Sequence, residues 1–181
     1  MRLNWQLWEG LLSPDTCKDL VDKCYKSVKL YDATVFSSGD YSSNKEIRDT
    51  RVGFVDLEEI TTIIMYYCKE ANRAAFGFDV DYLPQVQFAE YSEGSFYNWH
   101  HDINWEGTNM YDRKLSVGVQ LTDPSTYEGG NFEFQHIEDP TGFRTQGSVL
   151  VFPSYNVHRV TEITRGTRHS LVAWLEGPRW R

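Results

Sequence analysis

Two residues of one short segment have the spacing of metal ligands. His100 and Asp102 lie two positions apart in the sequence Trp99-His100-His101-Asp102. Side chains alternate between the faces of an extended segment, so His100 and Asp102 point the same way and His101 points away. A second imidazole from another strand would complete a two-His-one-carboxylate set, which suits Fe(II) and leaves coordination positions open.

The best candidate for the second imidazole is His158. It follows a predicted strand over residues 148–152 and a turn over 153–156, where a loop residue can reach across the mouth of a barrel. A His-x-Asp tripeptide also arises by chance, and a lone histidine is more often a surface or core residue than a ligand. The metal interpretation therefore depends on the neighbouring residues.

Arg168 and Ser170 support the metal interpretation. They come ten and twelve positions after His158, and they share one face of the next predicted strand. A guanidinium beside a hydroxyl is suited to bind a carboxylate through a charge-assisted bidentate bond. The alternative for Arg168 is an ordinary surface salt bridge, and its spacing from His158 disfavours that alternative.

The elements that must position these residues divide into helices followed by strands. Ser13 and Pro14 predict the start of a helix over 14–26, and three- and four-residue apolar spacing predicts a second helix over 57–75, ended by Gly77. After Pro84 the apolar residues alternate, as in strands. The predicted strands cover residues 85–91, 115–121, 131–135, 148–152 and 169–175.

This order predicts an α+β, mainly β chain in which helices lie against an antiparallel sandwich or barrel. We expect a single domain over 1–181, with helical support over about 1–83 and a catalytic β core over about 84–177. Residues 37–45 are rich in Ser, Gly, Asp and Asn, so they predict a loop, either an ordinary surface loop or a lid over the site.

Composition excludes several classes of protein. The formal net charge of −8 argues against a nucleic-acid partner, and the 10 Phe, 11 Tyr and 6 Trp argue against a disordered chain. Cys17, Cys24 and Cys68 have no metal-binding spacing and are expected to be buried, reduced thiols. With no predicted signal peptide or transmembrane segment, we expect a cytoplasmic protein, and a monomer is consistent with the sequence.

Four ordered blocks resemble the 2-oxoglutarate- and Fe(II)-dependent dioxygenases, specifically the prolyl 4-hydroxylase-like branch of the prolyl/lysyl hydroxylase-domain type. The resemblance covers about half the chain, over residues 84–177. The blocks read QVQFAEY (85–91), GSFYNWHHD (94–102), LTDP (121–124) with YEGG (127–130), and FPS (152–154) through HRV (158–160) to GTRHS (166–170).

The resemblance implies a double-stranded β-helix (jelly-roll, cupin-like) core with the N-terminal helices packed on one sheet. It implies that His100, Asp102 and His158 bind Fe(II), and that Arg168 pairs with the C5 carboxylate of 2-oxoglutarate. The expected enzyme couples O2 to the decarboxylation of this cosubstrate to succinate and hydroxylates an unactivated C–H bond. Ascorbate is the reductant expected for such an enzyme.

Three further residues are candidates for the cosubstrate pocket. Tyr91 matches a tyrosine that lines this pocket in the branch, although a tyrosine on a sandwich strand is usually a core residue. Ser170 is expected to assist Arg168. Gln120 stands where some members have a tyrosine that bonds the cosubstrate carboxylate, so its amide either donates the same hydrogen bond or faces solvent.

The substrate is less well determined. The resemblance implies peptidyl proline and places Tyr97 beside the metal. From the sequence itself, Trp99 and Trp105 flank the metal tripeptide and Arg51 is a polar candidate for the mouth of the site, although aromatic residues at strand ends are equally often core or rim residues. The alternatives are an oxygenase of a free amino acid or other small molecule, and a non-catalytic metal-binding jelly-roll module. The presence of Arg168 together with all three ligands disfavours the module.

Overall fold

The computed structural model describes residues 3–37, 40–42, 44–103, 105 and 110–181. Within these ranges the chain forms two α-helices, α1 (Pro14–Ser27) and α2 (Glu58–Ala71), and a π-helical turn (Asn72–Phe76) continues the second. None of the helices in this described part is long and apolar enough to cross a membrane.

The strands of the described ranges have between two and eleven residues, and β9 and β15 are the longest of them. In chain order they are β1 (Gln6–Trp8), β2 (Tyr31–Asp32), β3 (Val35–Ser37), β4 (Asp40–Ser42), β5 (Arg48–Asp49), β6 (Arg51–Val55), β7 (Val86–Tyr91), β8 (Phe96–His100), β9 (Tyr111–Gln120), β10 (Glu128–Gly129), β11 (Phe132–Phe134), β12 (Val149–Pro153), β13 (His158–Val160), β14 (Ile163–Arg165) and β15 (Arg168–Pro178).

Two antiparallel sheets build the core. The major sheet has seven strands in the order β1-β12-β9-β15-β7-β6-β2, and the minor sheet has four in the order β11-β13-β8-β5. Aromatic residues of both sheets pack together, with the rings of Phe134 and Phe152 5.1 Å apart. The sheets are thus two walls of one sandwich, as the predicted jelly-roll fold requires.

Helix α1 begins where its sequence predicts. The side chain of Ser13 accepts a hydrogen bond from the backbone N–H of Thr16 at 3.1 Å, and Pro14 occupies the first turn. The cysteines are free and buried, as expected. Burial raises the pKa of the Cys17 thiol to about 11 and contributes most to raising that of Cys24 to about 12, so these thiols stay protonated and pack as small apolar groups.

The helical segment formed by α2 and the π-helical turn after it ends close to the predicted end at residue 75. The backbone N–H of Gly77 reaches the carbonyl of Asn72, five residues back, at 2.8 Å. Gly77 has a φ of +66°, a conformation that glycine adopts without steric cost. The predicted helix over 57–75 is therefore confirmed over Glu58–Ala71 and becomes π-helical beyond it.

The helices cover one face of the major sheet, as predicted. Buried residues of both helices form one apolar cluster with alternate residues of the sheet strands. From the helices it includes Cys17, Leu20, Cys24, Ile60, Ile64, Cys68 and Ala71, and from the sheet Val86, Phe88, Leu115, Val117, Val119, Val149, Val151, Leu171, Ala173 and Leu175. The opposite face of the sheet is left for the minor sheet and the site.

The chain before Pro84 is not only helical support, which corrects the sequence interpretation. It contributes β1, β2 and β6 to the major sheet and β5 to the minor sheet. These strands have two to five residues, too few for alternation to be recognised. In the predicted loop over 37–45, residues 38, 39 and 43 lie outside the described residues, and β3 and β4 form an antiparallel pair on either side of residues 38 and 39.

Candidate metal and cosubstrate site

A β-bulge places His100 in the site. In the pairing of β8 with β13, His100 lies opposite His158 and Tyr97 lies opposite Val160. Two residues separate Tyr97 from His100, whereas only Arg159 separates their partners, so β8 carries one extra residue here. Because of this bulge, Tyr97 and His100 face the same side despite their odd spacing, and their rings stack 3.4 Å apart.

The three predicted ligands come together, as expected. His100 Nε2 lies 3.7 Å from Asp102 Oδ1, and His158 Nε2 lies 3.7 Å from Asp102 Oδ2. One ligand atom from each residue falls within 4.8 Å of the others. The carboxylate lies between the two imidazoles, so a single ion can contact all three groups.

Backbone hydrogen bonds fix the protons of both imidazoles. His100 Nδ1 lies 2.7 Å from the carbonyl oxygen of Asn98, and His158 Nδ1 lies 2.9 Å from that of Asn156. A carbonyl oxygen only accepts, so each Nδ1 carries the proton and donates it. The unprotonated Nε2 atoms then point their lone pairs at the common centre, which is the arrangement of metal-bound histidine.

The protonation states of His100 and Asp102 also suit a metal. Burial would raise the pKa of Asp102, but the adjacent imidazoles of His158 and His100, the Arg113 guanidinium and the Ser116 hydroxyl lower it to about 2. Burial and then His158 hold the pKa of His100 well below its ordinary value. At neutral pH the site therefore offers an ionised carboxylate and neutral nitrogen, the forms that bind metal, and this donor set fits Fe(II).

Ser116 orients the carboxylate. Its hydroxyl donates to Asp102 Oδ2 at 2.6 Å, and Ser154 Oγ lies 2.9 Å from the same hydroxyl oxygen. Both serines are fully buried. A short bond from a rigid sheet residue restricts the rotation of the Asp102 side chain, so this ligand is in place before any ion arrives.

Arg168 and Ser170 line the deep end of the same cavity, which has a volume of about 890 Å³. Both are buried, and the Arg168 guanidinium lies 5.5 Å from the centre of the Tyr91 ring, which also lines the cavity. Other arginines of the fold form ion pairs with glutamates. Within the described ranges, Arg168 pairs with no carboxylate, so the cavity presents a buried cation to an anionic ligand.

Gln120 does not face solvent. It is fully buried, and its Nε2 donates to the carbonyl of Thr122 at 3.1 Å and to the hydroxyl oxygen of Tyr127 at 2.9 Å. The solvent-facing alternative is therefore wrong. Gln120 lies opposite Ser170 in the pairing of β9 with β15, which places it near the end of the cavity that holds Arg168.

Trp99 and Trp105 line the cavity and are exposed, so of the two alternatives they are rim residues and not core residues. Trp105 is 54% exposed, and the Trp99 ring lies 4.5 Å from the Arg159 guanidinium. Arg51 lies elsewhere, which corrects the expected substrate contact. It pairs in register with Glu90, forms an ion pair with it at 3.2 Å, and lies on the helix-facing side of the major sheet.

Sequence reasoning missed several residues of the cavity wall. Arg48 is buried, its NH2 group donates to Gln87 Oε1 at 2.9 Å, and its guanidinium lies 4.4 Å from the centre of the Tyr97 ring. The Trp174 ring lies 3.7 Å from the Arg113 guanidinium. Trp174 was detectable, because even spacing from Arg168 on one strand puts it on the cavity face.

Comparison with known proteins agrees with this geometry. The sequence profile of the 2OG-Fe(II) oxygenase superfamily matches residues 86–176. A PKHD-type hydroxylase of Prochlorococcus marinus is 35% identical over 173 residues, covering 94% of this chain and 77% of the relative. One from Gloeothece citriformis is 36% identical over 90 residues, 49% of this chain. The chain spans 41% of the length of that second relative.

Solved structures share the fold at low sequence identity. A Pseudomonas putida prolyl-4-hydroxylase superposes with a TM-score of 0.71 at 19% identity, covering 98% of this chain and 94% of that one. A Trichoplax adhaerens prolyl hydroxylase gives a TM-score of 0.74 at 15% identity, covering 95% and 83%. These likenesses confirm the predicted jelly-roll architecture. From the profile match and the Prochlorococcus relative, the chain belongs to the 2OG-Fe(II) oxygenase superfamily.

Proposed function

We propose that the protein is an Fe(II)- and 2-oxoglutarate-dependent dioxygenase that hydroxylates a C–H bond. One observation carries this proposal: three metal-ligand atoms and a buried guanidinium without a carboxylate partner in the described ranges line one cavity. His100, Asp102 and His158 are the proposed iron ligands. Arg168 is the proposed partner of the distal carboxylate of 2-oxoglutarate, with Ser170 and Tyr91 beside it.

When bound, Fe(II) and 2-oxoglutarate supply the oxidation, in which O2 is consumed, 2-oxoglutarate becomes succinate and CO2, and one oxygen atom enters a C–H bond. The residues of this chain supply position and exclude water. Ser116 holds the Asp102 carboxylate, and Tyr97 packs against the His100 ring. Burial raises the pKa of Tyr97 to about 12, so its hydroxyl stays neutral beside the metal ligands.

The proposed substrate is a proline-containing peptide. Arg48 Nε and Trp174 Nε1 are buried donors with no hydrogen-bond partner in the described part of the chain, and both side chains line the cavity. Main-chain carbonyl oxygens on either side of a peptidyl residue are acceptors of the kind these donors need. Tyr97 and Trp174 also line the cavity and add aromatic surface beside the proposed peptide. The Trichoplax relative was solved with a peptide fragment bound.

Succinate formation with a panel of proline-containing peptides tests this proposal. We expect peptides to stimulate succinate release above the peptide-free rate and to gain one oxygen atom, read by mass spectrometry. Arg48→Gln and Trp174→Phe are each expected to raise the KM for peptide more than they change the peptide-free rate, because each removes a donor proposed to bind the peptide.

The same panel includes free proline and other free amino acids. If these stimulate succinate release and the peptides do not, the substrate is a small molecule and the peptide proposal is wrong. Iron binding without succinate formation, with or without any of these compounds, would instead favour a non-catalytic metal-binding module. Lys23→Gln, at an exposed ion pair on α1, is a matched control that is expected to behave as wild type.

A further inference from the structure

The distal carboxylate of the proposed cosubstrate needs more than one donor. A carboxylate has two oxygens with about four acceptor sites, and a buried one is stable when several of these are filled. Arg168 supplies one set of donors at the deep end of the cavity. Gln120 is a second buried polar side chain near this end of the cavity, opposite Ser170.

Gln120 has no donor left for a ligand. Its two amide hydrogens point to the Thr122 carbonyl at 3.1 Å and to the Tyr127 hydroxyl oxygen at 2.9 Å. If the Gln120 amide were rotated by 180°, its oxygen would face the Thr122 carbonyl oxygen. Both atoms are acceptors, so this contact would be repulsive. The assignment is therefore fixed by the backbone, and Gln120 Oε1 is left without a partner in the described part of the chain.

Tyr127 has the proton that Gln120 lacks. Its hydroxyl oxygen accepts the bond from Gln120, so its own hydrogen remains to be donated, and among the described residues no acceptor for it is found. Tyr127 is 2% exposed, so water does not readily take this role. The ring is held in place, since the Arg144 guanidinium lies 4.4 Å from its centre and bonds the Tyr127 carbonyl at 3.2 Å.

Tyr127 also lies beside Arg168. A Cβ atom at Gly130 would come within 3.2 Å of Arg168 Cδ and 3.4 Å of Tyr127 Cε2, so both side chains pack against the same α-carbon. Cε2 is bonded to the ring carbon that carries the hydroxyl. The partner of that hydroxyl, Gln120, lies opposite Ser170, which lines the cavity.

We infer that the Tyr127 hydroxyl donates a hydrogen bond to the distal carboxylate of 2-oxoglutarate beside Arg168, with Gln120 holding the hydroxyl in position. This inference rests on the proposed function. It gives the Tyr-Glu-Gly-Gly segment (127–130) a role in cosubstrate binding.

The test is anaerobic titration of the Fe(II) protein with 2-oxoglutarate, followed by the visible charge-transfer band of the chelate. Tyr127→Phe removes the hydroxyl and keeps the ring. Losing a hydrogen bond to a charged group is expected to weaken 2-oxoglutarate binding by about tenfold to a hundredfold. Oxalate chelates the metal but has no distal carboxylate, so its affinity, measured by displacement, is expected to stay the same. Tyr155→Phe, at an exposed tyrosine, is the matched control.

A second variant distinguishes the proposed donor, Tyr127, from the residue that positions it, Gln120. Gln120→Leu keeps the Tyr127 hydroxyl but removes its partner, so it is expected to weaken 2-oxoglutarate binding less than Tyr127→Phe does. A larger loss for Gln120→Leu, or equal losses for oxalate and 2-oxoglutarate in Tyr127→Phe, would overturn the inference. If the wild type shows the band and Tyr127→Phe needs the same 2-oxoglutarate concentration to form it, only this inference is overturned. If the wild type shows no band, the proposed function is overturned as well.

Discussion

Removing the Ser116 hydroxyl probes how the metal site is held in place. Ser116 is fully buried on β9, and its hydroxyl donates to Asp102 Oδ2 at 2.6 Å. Ser116→Ala deletes this bond and leaves the rest of the strand unchanged. The carboxylate then loses the neighbour that restricts its rotation, while its contacts with His100 and His158 are too long to be hydrogen bonds, at 3.7 Å each.

The size of the effect follows from the type of bond. A hydrogen bond to a charged group contributes about 1.5–3 kcal/mol, and about 1.4 kcal/mol corresponds to a factor of ten in affinity. Outer contacts that orient a metal ligand typically contribute 10- to 100-fold to metal affinity, about the same range. We therefore expect Ser116→Ala to bind metal about 10- to 100-fold more weakly, with the fold retained.

Calorimetric titration with Mn(II), in place of Fe(II) and without O2, measures this affinity directly. Ser27→Ala is the matched control, because Ser27 is exposed and its hydroxyl bonds only the Lys23 carbonyl on α1. Its metal affinity is expected to equal that of the wild type. A folded Ser116→Ala protein with wild-type affinity would refute the argument that Ser116 prepares Asp102 for the ion.

Three further changes have defined outcomes. Arg168→Ala is expected to weaken 2-oxoglutarate binding at least about 30-fold, which corresponds to a loss of about 2 kcal/mol or more, and to leave Mn(II) affinity unchanged. Equal losses of the two affinities would show that Arg168 has only a structural role. Gly130→Ala adds a Cβ atom 2.4 Å from Ile163 Cδ1 at a residue with a φ of +61°. Urea unfolding is therefore expected to show that the free energy of unfolding decreases by about 1–3 kcal/mol. An unchanged urea midpoint would contradict this packing. Burial lowers the pKa of His169 below its ordinary value of about 6.5. As the pH falls below that value, His169 therefore becomes protonated in the unfolded chain before it does in the folded one, and the free energy of unfolding decreases. Between about pH 7 and pH 5, the free energy of unfolding of His169→Gln is expected to fall less than that of the wild type, as measured by urea unfolding at each pH. An equal fall in the two proteins would refute this role of His169.

Local spacing was sufficient to pair His100 with Asp102 and Arg168 with Ser170, whereas His158 was predicted from its place after a strand and a turn and from the family resemblance. His100 and Asp102 are two residues apart, and Arg168 and Ser170 alternate along one strand, so a simple extended chain already puts each pair on one face. The bulge in β8 was not predictable. It adds one residue between Tyr97 and His100, and only the pairing with β13 reveals it.

The errors lie where pairing between distant strands decides the outcome. Arg51 is polar and is the first residue of the short strand β6, but its register with Glu90 places it on the helix side of the sheet. Arg48, three residues earlier, pairs with β8 and enters the cavity. Neither register is encoded in local composition. Gln120 shows the same limit, since a polar side chain between apolar neighbours is compatible with solvent and with a buried network alike.

The central claim is that His100, Asp102 and His158 hold Fe(II) and that 2-oxoglutarate chelates it in the same cavity. The most direct measurement is the anaerobic visible spectrum of the protein with Fe(II) and 2-oxoglutarate. We predict a charge-transfer band in the wild type, no band in His158→Ala, and a wild-type band in the matched variant His101→Ala, since His101 is exposed. A wild type without the band, or a His158→Ala protein that retains it, would contradict the claim.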